Sequence, residues 1–383
     1  MTDQPEQTPL TAPRILLMGV GSSGARTVES VAAATPGLNR VVIDTDQKEL
    51  ESLRPEKIIH IGEAVTNGFS AGGDVELGRQ SIEKSSAAIR SKLRPIDLLI
   101  IVAGLGGGTG SGAVPVITRL ARETETLVLC LVTMPFAFEG QAIAGKAAEA
   151  LKRIRTHADA IVRISNEMLV DRSDADLPLE DAFARSRKVA TEGVAALWRM
   201  LSQTGVCGLD FACIHTMLRN CDGFCHFAAA ETAGANRGPA LAEEISTHRL
   251  LNNGKMLGRA AGIVVGITGG NDLRLSEVEQ VMNQIQEKLP EDTWVNFGVV
   301  VDPAFDNRLS ALVMVAEQWK EPLVDAANRQ MGFTYNRRLS LEQGELPLEA
   351  AGKGRFTNLD PTIHNNQDLD VPTYLRRSIK LPR

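Results

Sequence analysis

Apolar residues fall in short blocks, separated by longer stretches where they recur every three or four positions. Residues 15–18 form the first block, a helical stretch covers 24–34, and a second block follows at 41–43. A helical stretch at 76–93 leads into the apolar run that follows Asp97 to residue 103, and blocks at 126–132 and 160–164 repeat the alternation. Strands that are apolar on both faces and alternate with helices predict a parallel sheet covered on both sides. Residues 180–201 carry apolar positions at helical spacing and predict a central helix joining two halves.

Beyond residue 208 the pattern changes. Helical spacing at 212–218, 241–251 and 275–287 alternates with strand-like runs at 223–230, 263–268, 294–301 and 309–315, which predicts a smaller α+β domain. From 322 to 367 the chain turns polar and rich in Gly, Asn and Arg, as a flexible linker does. The expected organisation is a tail at 1–13, a first α/β domain at 14–178, a central helix and following loop at 179–207, a second domain at 208–320, a linker at 321–367 and a terminal peptide at 368–383.

Composition narrows the function. The chain has 383 residues, 43% hydrophobic and 23% charged, with a formal net charge of -6. That balance argues against a nucleic-acid partner, because phosphate backbones require a surplus of Lys and Arg. No run reaches the ~18 apolar residues of a membrane span, so direct membrane insertion is not expected. The polar start has neither a basic segment nor an apolar core and does not read as a signal peptide. The five cysteines are therefore expected as reduced thiols in the cytoplasm. Cys213, His215, Cys221, Cys225 and His226 cluster, but without the paired spacing of a zinc site, and no metal ligands are assigned.

Two glycine loops carry the candidate chemistry. Gly19-Val20-Gly21-Ser22-Ser23-Gly24 follows the first strand, and Asp44 stands about 20 residues on, as in a dinucleotide-binding βαβ unit. Alone, this loop suits an NAD-dependent oxidoreductase, or a tight turn without a ligand. The second loop is more specific. Residues 104–112 contain six glycines, with Thr109 and Ser111 between them, and a helix follows. Glycines let backbone amides approach an anion, and a helix N-terminus adds its positive end. Two such loops at neighbouring strand ends suit a polyphosphate. The lysine of a P-loop is absent.

At the second loop the chain resembles the tubulin/FtsZ family, whose signature G-G-G-T-G-[ST]-G is matched throughout 106–112. Thr133-Met134-Pro135-Phe136-Ala137-Phe138-Glu139-Gly140 is similar to that family's T-x-P-F-x-F-E-G. Ser165-Asn166-Glu167-Met168-Leu169 resembles its N-[DE]-x-L segment, and Ala71-Gly72-Gly73-Asp74 its third phosphate loop. Gly208-Leu209-Asp210-Phe211-Ala212 is similar to its synergy loop, and residues 267–273 to I-T-G-G-x-D-L. Residues 369–377 resemble its terminal docking peptide L-D-[IV]-P-x-[FY]-L-R-x.

The resemblance implies a Rossmann-like GTP-binding domain joined by a central helix to a smaller α+β domain. It implies GTP and GDP as ligands, with Mg²⁺, and a self-polymerising GTPase of the bacterial septal ring, cytoplasmic at the division site. Phosphates would be held by Gly19, Gly21, Gly24, Ala71, Gly72, Gly106, Gly107, Gly108, Thr109 and Gly110. Glu139 would bind ribose, Asn166 the ribose or base edge, and Phe183 would stack on the base. Asn166 also reads as a turn residue, and Phe183 as plain core. Asp210, entering the site of the next subunit in a head-to-tail filament, would be catalytic; it also reads as the N-cap of the following helix. Residues 369–377 would dock on a membrane tether or division protein.

Five positions depart from the family pattern. Cys213 replaces the second synergy-loop carboxylate, Gly208 its asparagine, Ile143 an arginine, and Arg187 with Lys188 the acceptors that read guanine. These departures support a second expectation: a non-hydrolysing nucleotide-binding scaffold that co-assembles with an active relative.

Overall fold

The computed structural model describes residues 13–53, 57–170, 176–203 and 205–319, and the backbone at 363–364 and 367–368. The chain divides into two units, Met1–Leu323 and Val324–Arg383.

The first unit begins with β1 (Ile15–Val20), α1 (Gly21–Val31), β2 (Asn39–Asp44), α2 (Gln47–Ser52), β3 (Ile58–His60) and α3 (Glu63–Thr66). It continues through α4 (Val75–Lys84), α5 (Ser86–Leu93), β4 (Leu98–Gly104), α6 (Gly108–Glu123), β5 (Leu127–Met134), α7 (Gln141–Arg155) and β6 (Ala160–Ser165). The long α8 (Leu179–Ser202) follows, then α9 (Phe211–Asn220) and the short β7 (Gly223–Phe224). These seven strands form one parallel sheet in the order β3-β2-β1-β4-β5-β6-β7.

The continuous apolar runs have a direct cause. Alternate residues of β1, β4 and β5 enter different cores. Leu17, Ile100, Val102, Leu129 and Leu131 pack with residues of α1, α8 and α9 on one face. Leu16, Met18, Leu99, Ile101, Val128 and Cys130 pack with residues of α4 to α7 on the other. Each fully buried Leu or Ile contributes about 1.5–3 kcal/mol, so neither face tolerates a polar position.

The remaining elements are β8 (His226–Ala233), α10 (Arg237–Ser246), β9 (Gly262–Gly269), α11 (Leu275–Gln286), β10 (Trp294–Val301) and β11 (Arg308–Ala316). Their sheet runs β10-β9-β11-β8, with β10 parallel to β9 and β11 antiparallel to both its neighbours. Helices α10 and α11 cover one face. The other face meets α8 through glycines on both sides of the contact. A Cβ at Gly266 of β9 would lie 1.8 Å from Met200 Sδ, and one at Gly193 of α8 would lie 2.3 Å from the Phe227 ring. The central helix therefore belongs to the cores of both sheets.

The run expected as one strand at 223–230 is split. Gly223 and Phe224 pair with Ala160 and Ile161 at the edge of the first sheet. The Cys225 N–H donates to the Ile161 carbonyl, and β8 then begins in the second sheet. An uninterrupted apolar pattern hides this crossing, because both strands bury their side chains.

In the second unit, β12 (Ile363–His364) pairs antiparallel with β13 (Gln367–Asp368), inside the stretch expected as linker and the start of the terminal peptide. The expected tail over 1–12, the rest of the linker and the docking peptide at 369–377 lie outside the described residues. Among the described residues no helix is long and apolar enough to cross a membrane.

Candidate functional site

A cleft of about 440 Å³ opens at the carboxyl ends of β1, β2, β4, β5 and β6, where ligands of open parallel sheets bind. Two helices begin at its wall. Gly21 (φ +72°) turns the chain from β1 directly into α1. Gly107 precedes α6 in extended geometry, with Gly108, Thr109 and Gly110 in the first turn. The starts of the two helices abut: a Cβ on Gly21 would stand 3.5 Å from the Gly110 nitrogen. Neither first turn contains an acidic residue. The leading N–H groups of a helix lack intrahelical acceptors, so two positive ends converge on a wall that supplies no carboxylate of its own at those turns.

The threonines and serines of this wall hold the loops together. Thr45 Oγ1 lies 3.0 Å from Thr109 Oγ1 and accepts the Ala71 N–H at 3.1 Å. One residue after β2 thereby links α6 to the loop before α4. Ser111 Oγ accepts the Gly106 N–H at 2.8 Å. Asp44, 2% exposed, accepts the Thr45 N–H at 2.7 Å and the Ser22 hydroxyl at 3.3 Å. Its burial raises its pKa, and the hydrogen bonds offset this only in part. A carboxylate held in this way does not stand free for a ribose diol, the role the dinucleotide reading would give it.

Of the residues expected to bind phosphate, Gly21, Gly107, Gly108, Thr109 and Gly110 line the cleft. Gly19, Gly24, Ala71, Gly72 and Gly106 stand outside the lining. Gly19 and Gly24 serve helix–strand contact, since a Cβ on Gly19 would fall 2.5 Å from the Gly24 carbonyl oxygen, and one on Gly24 2.2 Å from that of Val102. The Ala71 and Gly106 N–H groups already donate to Thr45 and Ser111. A Cβ on Gly106 would also press to 2.6 Å against Ile143. Gly72 has a left-handed φ of +57° and no close neighbour. From its loop, Ser70 and Gly73 reach the cleft instead.

Glu139, Asn166 and Phe183 all line the other end. Glu139 Oε1 accepts the Phe136 N–H at 2.8 Å, which closes the turn Ala137–Glu139 after β5. Asn166, 4% exposed, accepts the Ser186 hydroxyl at 2.6 Å through Oδ1. The Phe183 ring is partly exposed and meets Phe136 edge-on, with centroids 5.3 Å apart. Ser22, Ser23, Arg26, Thr133 and Ser186, which sequence reasoning left unassigned as site residues, also line the cleft, as does Arg187, which it placed at the base-reading position. Thr133 opens the T-x-P-F segment and could have been found there; Ser186 carried no signal beyond its place one turn past Phe183. Lys188 points away, 3.7 Å from Glu192.

Asp210 does not line the cleft. It is exposed and caps α9, its Oδ1 accepting the Cys213 N–H at 2.8 Å. Cys213 Sγ lies 2.9 Å from Asn296 Nδ2, and burial raises the thiol's pKa. The other end of α9 holds Arg219 against Asp159, the residue before β6, on the side of the sheet away from the cleft. Along α8, Phe183 and Leu201 are separated by about 27 Å at 1.5 Å per residue. The loop that carries Asp210 begins beyond Leu201. Among the described residues no three His, Cys, Asp or Glu side chains group as metal ligands do.

Residues 14–174 match the model of the Tubulin/FtsZ family, GTPase domain, and residues 223–318 that of the FtsZ family, C-terminal domain. The chain is 33% identical over 303 residues to a cell division protein FtsZ of Bartonella bacilliformis, covering 79% of this chain and 51% of that one. It is 33% identical over 305 residues to cell division protein FtsZ 1 of Rhizobium meliloti (strain 1021), with the same coverage. The chain spans about half the length of these two relatives. Among solved structures, an empty FtsZ dimer from M. jannaschii superposes with a TM-score of 0.73 at 27% identity, over 80% of this chain and 89% of that one. The CetZ2 protofilament of Haloferax volcanii, with GTPγS bound, shares the fold at a TM-score of 0.66 and 23% identity, over 79% and 92% of the two chains.

Proposed function

The chain belongs to the tubulin/FtsZ family, and from that premise we propose that it binds GTP and GDP in the cleft, assembles head to tail, and hydrolyses GTP between subunits. The observation that carries this reading is the pair of abutting helix N-termini at Gly21 and Gly107–Gly110, with Thr109 beside them. They suit a polyphosphate, whose charge the N–H groups and helix dipoles stabilise. Ribose then lies toward Glu139 and the base on Phe183. Mg²⁺ accompanies the triphosphate. When bound, it would take its ligands largely from phosphate oxygens and water, as Mg²⁺ commonly does in nucleotide sites, and would neutralise charge on the phosphates.

Hydrolysis requires a group that orients water. The carboxylates in the described lining, Asp44 and Glu139, already accept hydrogen bonds from the backbone N–H groups of Thr45 and Phe136. Asp210 is exposed and remote from its own cleft. A head-to-tail contact would carry it to the cleft of the next subunit, so hydrolysis would depend on assembly. We place the filament in the cytoplasm at the division site, tethered through residues 369–377. A dehydrogenase reading explains only the first glycine loop.

A second reading is a scaffold that binds nucleotide without hydrolysis. Cys213 favours it: its half-buried thiol, with its pKa raised above the ordinary value, stays neutral at pH 7, where a carboxylate would help hold water. The deciding measurement is phosphate release from GTP across protein concentrations, with Mg²⁺ and with ATP as control, alongside light scattering. A rate per subunit that climbs above a threshold concentration is expected. Filaments without phosphate release would establish the scaffold, and Cys213→Asp is then the substitution expected to bring hydrolysis back. No nucleotide binding at any concentration would overturn both readings.

A further inference from the structure

We infer that Arg187 reads the carbonyl edge of the bound base, so that the cleft accepts guanine and hypoxanthine nucleotides alike and rejects adenine. The inference rests on the nucleotide-binding reading above and concerns the α8 end of the same cleft.

A base stacked on Phe183 lies against α8, and Arg187 is the residue one turn further along the same face. Arg187 lines the cleft, is half-buried, and has no hydrogen bond or ion pair among the described residues. Its guanidinium offers only donors, in a planar fork. The neighbouring groups also present donors. The Asn166 Oδ1 accepts the Ser186 hydroxyl at 2.6 Å, and the same side chain's amide NH₂ adds two donors to this end of the cleft. Ser186 itself is buried, 4% exposed, and its hydroxyl proton is spent on Asn166. No carboxylate of the described lining neighbours Arg187 on α8.

Guanine has two edges of opposite character. N1–H and the N2 amine donate, and donors set against them would leave both sides unpaired. O6 and N7 accept, and an arginine fork matches them with two parallel hydrogen bonds. The donor-rich wall therefore selects the O6/N7 edge. Hypoxanthine has the same O6 and N7 and lacks only the N2 amine, which this wall does not read. Adenine places an amine where the O6 would be, and its N–H meets the guanidinium donor to donor.

The test is competition of GTP, ITP and ATP against a fluorescent GDP analogue on the full chain. GTP and ITP are expected to bind within about threefold of each other, and ATP more weakly by about 5- to 150-fold, the span of one bidentate arginine–base pair. Arg187→Met should bring ATP close to GTP. Arg187→Asp, which supplies an acceptor, should create a preference for GTP over ITP. Circular dichroism establishes that each variant folds. Wild-type preference for GTP over ITP by tenfold or more would overturn the inference, because an acceptor would then be reading the N2 amine. Equal weakening of all three nucleotides by Arg187→Met would also overturn it, by assigning the guanidinium to phosphate. If none of the three binds, the nucleotide-binding reading itself falls, a result distinct from either.

Discussion

The glycines around the cleft divide into two kinds, and the division can be tested at single atoms. Gly110 is a packing glycine: a Cβ there would stand 2.2 Å from the Gly104 carbonyl oxygen, a backbone atom that cannot yield cheaply. Gly107 is open, with nothing within 4 Å of its Cβ position and extended backbone geometry. Gly110→Ala is expected to destabilise the fold by about 1–3 kcal/mol. Gly107→Ala should cost about 1 kcal/mol or less, the loss of a favoured N-cap residue. Its methyl group would nonetheless project at the cleft wall and weaken nucleotide binding by tenfold or more. Thermal unfolding and fluorescent-nucleotide titration separate the two effects; unaltered binding by Gly107→Ala would remove this loop as the phosphate cradle. The sequence run 104–112 marks a glycine-dependent place in the chain. Which glycine admits a ligand and which admits a neighbouring strand depends on Cβ direction in three dimensions, and no spacing encodes that. The same holds for Gly19 and Gly24, which match a phosphate-binding pattern yet serve helix–strand packing.

At the scale of the element, α9 poses the question of what an acidic residue at a helix start is for. The two readings of Asp210 make different demands on its side chain. Capping needs one oxygen, the Oδ1 that accepts the Cys213 N–H; catalysis needs the negative charge. Asp210→Asn keeps the oxygen and removes the charge. It is expected to fold with stability within about 0.5 kcal/mol of the parent while losing phosphate release. Asp210→Ala should lose release and also about 1 kcal/mol of stability. Chemical denaturation and phosphate release on both variants decide the matter, and an Asp210→Asn protein that hydrolyses at the parental rate would leave only the cap. The helix itself was legible, because its apolar spacing spans 212–218 and the observed bounds extend it by only a residue or two at each end. The long α8 was legible for the same reason. The exchange of sheets at Cys225 was not, because apolar pattern reports burial and does not report which sheet supplies the partner strand.

At the scale of the whole molecule, the continuous apolar strands foretold a two-sided parallel sheet, and such a sheet directs its ligands to the carboxyl ends of its strands. What they could not convey is distance. The cleft and the Asp210 loop lie at opposite ends of α8, about 27 Å apart by helix rise between Phe183 and Leu201 alone. A site shared by two subunits follows if Asp210 acts at all, and a shared site can be reassembled from broken halves. Head-to-tail contacts are heterologous, so each interface takes its cleft from one subunit and its loop from the other. Gly107→Ala damages the cleft and leaves the loop intact; Asp210→Asn does the reverse. At GTP concentrations well below the weakened affinity of the Gly107→Ala cleft, neither alone should release phosphate at more than a small fraction of the parental rate. In an equal mixture, about one interface in four joins the sound cleft of an Asp210→Asn subunit to the sound loop of a Gly107→Ala subunit. Phosphate release should therefore return to about a quarter of the parental rate per subunit, with co-sedimentation establishing that both variants enter the filament. Co-sedimenting variants that stay silent together would mean that cleft and loop must be sound in the same chain, and the shared site would be wrong.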